Sequence, residues 1–86
     1  MTGVMPEEET VPTHLTIKLF ATFQRGRFAV EARVFTEAPT LGEIVDELAI
    51  PRAEVGVMMV NGCHVEFDDR PKDGSIVAIF PVIGGG

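Results

Sequence analysis

Residues 40–48 read Thr-Leu-Gly-Glu-Ile-Val-Asp-Glu-Leu, and the rest of the chain is organised around how they fold. Thr40 and Glu43 have capping-box spacing, in which each side chain satisfies an orphan amide of the first helical turn. Pro39 precedes the cap and is placed to pack on Ile44 as a hydrophobic staple. Leu41, Ile44, Val45 and Leu48 recur at i, i+3, i+4 and i+7, forming one apolar stripe. Glu43, Asp46 and Glu47 lie off that stripe. Pro51 disfavours helical geometry at Ile50 and closes the element. A short helix with a single apolar face has to lie on a sheet.

The flanking segments supply the strands. Upstream, His14 to Phe20 alternates, with Leu15, Ile17 and Leu19 on one face and Thr16 and Lys18 on the other. A polar turn over Ala21 to Arg27 leads into Phe28–Phe35. There Phe28, Val30, Ala32 and Val34 share one face and Ala29, Glu31, Arg33 and Phe35 the other. Two such strands joined by a short loop make an antiparallel hairpin. Downstream, Val55 to Val60 is a near-continuous apolar run and reads as a strand buried on both faces. Asn61-Gly62 is a hairpin turn signal, since both residues accept φ > 0. Cys63 to Phe67 returns as a short strand, Asp68 to Gly74 forms a charged loop, and Ser75 to Phe80 is a last apolar strand. The order β-β-α-β-β-β predicts an α+β domain over residues 14–82, with a mixed sheet of four to five strands and one helix across it.

Pro81 lacks a backbone donor, so regular pairing is expected to end there. Beyond it the chain reads Val82-Ile83-Gly84-Gly85-Gly86. Residues 83–86 form a flexible glycine-rich tail, and residues 1–13, with Pro6, Glu7-Glu8-Glu9 and Pro12, a flexible leader. A carboxylate on a backbone without Cβ atoms can thread a channel too narrow for side chains. Ordering such a tail costs about 1–2 kcal/mol per residue, so a dedicated partner must receive it.

Composition narrows the field. Eighty-six residues with 45% hydrophobic content suit one small core. No apolar run reaches transmembrane length and no secretory leader is apparent, which predicts cytoplasmic residence without a membrane partner. A net charge of −6 argues against nucleic acid. The single Cys63 excludes an internal disulfide and reads as a small buried hydrophobe, and His14 and His64 as ordinary strand residues. Neither histidine has metal-ligand spacing. Asp68, Asp69 and Asp73 match no EF-hand and read as solvated turn residues, so no metal is expected. No nucleophile triad, P-loop or dinucleotide fingerprint is present.

Four features together resemble the ubiquitin-like β-grasp sulfur carriers, the MoaD/ThiS family. They are the segment Lys18-Leu19-Phe20-Ala21-Thr22-Phe23, the capped helix from Thr40 to Leu48, the turn Val60-Asn61-Gly62, and Lys72 to Pro81 before terminal glycines. The resemblance runs from Leu15 to the end. It implies that an E1-like enzyme adenylates the Gly86 carboxylate with ATP and that a persulfide protein supplies sulfur for a thiocarboxylate there. Gly85 completes the double glycine. The thiocarboxylate would then donate sulfur inside an acceptor synthase large subunit, MoaE-like for molybdopterin or ThiG-like for thiamin thiazole. The chain would be a non-catalytic carrier subunit with no bound cofactor. Phe80-Pro81 matches the molybdopterin tails and makes molybdopterin the first destination, while Ile83-Gly84-Gly85-Gly86 is similar to thiamin-pathway tails and makes thiamin thiazole the alternative. A third destination is isopeptide bond formation through Gly86, as in a ubiquitin-like modifier. For the partner surface the expectation is Phe80, Pro81, Val82, Ile83 and Gly84, an apolar base beside a flexible end.

Overall fold

The computed structural model describes residues 12–82. In chain order these form β1 (Thr13–Leu19), a 3-10 turn (Ala21–Gln24), β2 (Val30–Phe35), α1 (Leu41–Glu47), a second 3-10 turn (Arg52–Glu54), β3 (Val55–Val60), β4 (Cys63–His64) and β5 (Ser75–Pro81). The strands lie side by side as β2-β1-β5-β3-β4. β1 and β5 run parallel, and the other neighbours are antiparallel. This is the mixed sheet that the element order predicts, in the β-grasp arrangement that the resemblance implies.

The core is the space between the sheet and α1. Leu15, Ile17 and Leu19 of β1, Met58 of β3, and Val77 and Ile79 of β5 point into it. Leu41, Ile44 and Val45 close it from the helix, and Phe23, Leu48 and Ile50 seal its rim. Each such side chain contributes about 1.5–3 kcal/mol by leaving water. The capping box forms as read. Glu43 N–H donates to Thr40 Oγ1 at 3.0 Å and Thr40 N–H to Glu43 Oε1 at 2.9 Å. Pro39 is buried just ahead of the cap, as a staple requires.

Two further caps come from distant segments. Leu41 N–H donates to the Asp69 carbonyl at 2.9 Å and Gly42 N–H to the Phe67 carbonyl at 2.8 Å. The segment from Phe67 to Gly74 therefore does more than connect; its carbonyls at Phe67 and Asp69 satisfy the helix's first amides. At the other end the Arg27 guanidinium donates to Leu48 O at 2.9 Å, Ala49 O at 3.0 Å and Phe23 O at 3.1 Å. A cation there complements the partial negative charge of the helix C-terminus.

Several expectations need correcting. β1 starts at Thr13, which is buried, so the fold begins one residue before the expected domain start at His14. Residues 1–11 of the expected leader lie outside the described residues. In β2 the alternation left open which face is covered, and the valine face is the exposed one, with Glu31, Arg33 and Phe35 on the half-buried side. β3 is not buried on both faces: Met58 is its only fully buried residue, because the helix covers one side of the sheet only. Cys63 is exposed, not buried, because β4 is a two-residue edge strand. Regular pairing, by contrast, ends at Pro81 as expected: it is the last residue of β5 and pairs with Val55 only across a bulge.

Candidate functional site

The last strand is a central one, flanked by β1 and β3, and it carries the chain out of the sheet beside a groove of about 610 Å³. Val55, Gly56, Val57 and Met59 line it from β3, and Phe80, Pro81 and Val82 from the chain's exit. None of these side chains titrates. The groove can seat apolar anchors but can move no proton, which suits docking and not acid–base chemistry.

Three of the expected partner residues meet here. Phe80 is half-buried, its ring stacked on Phe20 with centroids 4.2 Å apart and planes 12° from parallel. Pro81 is half-buried too, and Val82 is 59% exposed. The Val82 N–H donates to Glu54 O at 2.9 Å, so one more backbone bond holds the exit after the proline. Ile83, Gly84, Gly85 and Gly86 lie outside the described residues.

The β3 wall was not anticipated. Gly56 occupies the bulge between Val55 and Val57, and a Cβ there would stand 2.7 Å from the Pro81 carbonyl oxygen. Only a residue without a side chain lets β3 close on the exit at that distance. A glycine inside an otherwise apolar strand run was the available signal for a bulge or close backbone approach. Arg52 braces the turn leading into this wall. It forms a bidentate pair with Asp46 at 2.8 and 3.1 Å and lies 5.2 Å over the Phe67 ring. The pair is exposed, and the Arg52 hydrogen bonds hold the Asp46 carboxyl below its ordinary range.

At the opposite end of β5, Asn61 and Gly62 take positive φ as the turn requires. Asn61 also exchanges hydrogen bonds with Ile76, its N–H to Ile76 O and its Oδ1 from Ile76 N–H, each at 2.9 Å. A second hollow of about 430 Å³ lies there, lined in part by Cys63, His64, Arg70 and Lys72, and it shares no residue with the apolar groove. The acidic loop is engaged internally: Asp69 Oδ2 accepts from Glu66 N–H, and Asp73 Oδ1 from His14 N–H at 2.6 Å. Among the described residues no cluster of His, Cys, Asp and Glu could hold a metal ion. No helix among them is long and apolar enough to cross a membrane.

The model of one family, the Mut7-C ubiquitin domain, matches residues 9–84. Solved structures match as well. A Pyrococcus furiosus protein assigned as molybdopterin converting factor subunit 1 superposes with a TM-score of 0.67 at 24% identity, over 83% of this chain and 99% of that one. Small archaeal modifier protein 1 of Haloferax volcanii gives 0.64 at 22% identity, over 83% and 99%. A chain in the complex of subunits 1 and 2 of the Helicobacter pylori molybdopterin-converting factor gives 0.54 at 16% identity, over 86% and 100%. At these identities the likeness is one of fold. No curated protein matches the chain.

Proposed function

The chain belongs to the Mut7-C ubiquitin family, and from that footing we propose that it is a protein-bound sulfur carrier acting in molybdopterin biosynthesis. An E1-like enzyme adenylates the Gly86 carboxylate; a protein persulfide then displaces AMP to give an acyl disulfide, and a second thiol attacks its S–S bond, releasing the thiocarboxylate and leaving a disulfide. Adenylation comes first because a carboxylate is a poor electrophile, whereas the mixed anhydride offers sulfur a good leaving group. Gly84 and Gly85 let the end enter a narrow active site. Phe80, Pro81 and Val82 anchor the partner at the root. The acceptor is a synthase large subunit, and the fold likeness to a chain complexed with subunit 2 of a molybdopterin-converting factor supports that assignment.

One observation carries the reading: a core strand delivers the chain past Pro81 beside an apolar groove free of titratable groups. Mass spectrometry of the chain co-expressed with its own adenylating enzyme should show an oxygen-to-sulfur exchange at Gly86. An unmodified end beside an enzyme shown to form the adenylate would sink the proposal. Supplying the modified protein to molybdopterin and thiazole synthases in turn identifies which acceptor takes the sulfur.

A second reading is a ubiquitin-like modifier. It draws support from the fold likeness to an archaeal modifier protein and from the same adenylate, which a lysine amine can attack. Glycine remnants on lysines of other proteins, without sulfur exchange at Gly86, would favour it.

A further inference from the structure

Among the described residues β2 is an outer strand of the sheet, with β1 on one side and no strand on the other. Its pairing with β1 fixes which backbone groups face outward. Leu19 N–H donates to Ala29 O at 2.9 Å, and the register continues as Ile17↔Glu31 and Leu15↔Arg33. In an antiparallel ladder the bonded pairs alternate, so Glu31 and Arg33 turn their N–H and C=O toward β1. Val30, Ala32 and Val34 turn theirs to the free edge, where the described residues offer no backbone partner. Such an edge is a template for another strand.

The side chains along it are self-complementary. We propose that β2 pairs with the β2 of a second copy of this chain, antiparallel and centred on Ala32. About that two-fold, Val30 stands opposite the partner's Val34, and Glu31 opposite the partner's Arg33. The three outward-facing residues each gain a donor and an acceptor, as a bonded register requires. Val30 and Val34, 58% and 62% exposed in the single chain, would cover one another on the open face. On the helix side, Glu31 and Arg33 already lie 3.2 Å apart within one strand and would form crossed pairs in the dimer. A two-fold centred on Glu31 or on Arg33 sets like charges face to face, so charge selects the Ala32-centred register. The interface is isologous and closes at two copies. β5 and the groove at its exit lie beyond β1, away from the joint, so the tail stays accessible in the pair.

Sedimentation equilibrium of the full chain over a wide concentration range tests this. The wild type should pass reversibly from monomer to dimer as concentration rises. Ala32→Pro removes an N–H that points away from β1, so it should stay monomeric while melting like the wild type. Glu31→Arg should weaken association by about tenfold or more, and Glu31→Arg with Arg33→Glu should restore it, which loss of folding cannot mimic. A wild-type chain that remains monomeric throughout overturns the proposal. So does a dimer that tolerates both Ala32→Pro and Glu31→Arg, since it then forms through another surface.

Discussion

β5 is bordered by β1 and β3, whereas β2 has a neighbour on one side only among the described residues, and their side chains follow suit. In β5, Val77 and Ile79 are 0% exposed beneath α1. In β2 the apolar set, Val30, Ala32 and Val34, faces solvent, while Glu31, Arg33 and Phe35 occupy the helix side. Both strands alternate, and alternation says which residues share a face without saying which face is covered. α1 has only seven residues, and the fully buried apolar strand side chains come from β1, β3 and β5, none from β2. Arg33 can therefore lie on the helix side with its guanidinium 5.5 Å over the Phe28 ring and 3.9 Å from Glu47.

Substitutions in the two strands should differ accordingly. The largest effect belongs to Ile79→Ala, which leaves a cavity under the helix and should cost about 2–5 kcal/mol in chemical denaturation. A loss below about 1 kcal/mol would mean that β5 does not anchor the core. Gly56→Ala comes next: its methyl meets the Pro81 backbone, and overpacking of that kind costs about 1–3 kcal/mol. Faster hydrogen exchange at Val82 N–H should accompany it, and unchanged exchange would show that the exit of β5 is not held by that approach. Val34→Ala, on the open face of β2, should stay within about 0.5 kcal/mol in dilute solution, where the chain is monomeric.

The smallest effect tests how β5 is tied to β1 at its entry. Asp73 accepts from the His14 backbone N–H and then from the His14 ring at 2.9 Å, which lowers its pKa from the ordinary 3.8. A carboxyl with a lowered folded pKa stabilises the fold above the ordinary value, and that stabilisation fades as pH falls through the lowered one. The difference in stability between wild type and Asp73→Asn should therefore be full at neutral pH and close below about 3.8. A difference that stays constant through that range would assign the contact no electrostatic share.

The site was legible where its residues adjoin in sequence. Phe80, Pro81 and Val82 declare themselves by sitting between an apolar strand and a glycine run. Phe20 and the β3 wall do not, since nothing local says that residues 20 and 55–59 come to the same place. Cys63 misled for a related reason: its strand-like setting is real, but β4 is too short and too peripheral to bury it.

The amino-acid order alone determined the capped helix, the Asn61-Gly62 turn and the alternating strands. Capping, φ preference and periodicity act between residues a few positions apart, so they can be read along the chain. Only the tertiary structure decided that the valines of β2 face outward, that Phe67 and Asp69 cap α1, and that Gly56 closes on Pro81. Each of those depends on which surface a single short helix can cover and on segments 25 or more residues apart meeting in space, and no local pattern encodes either.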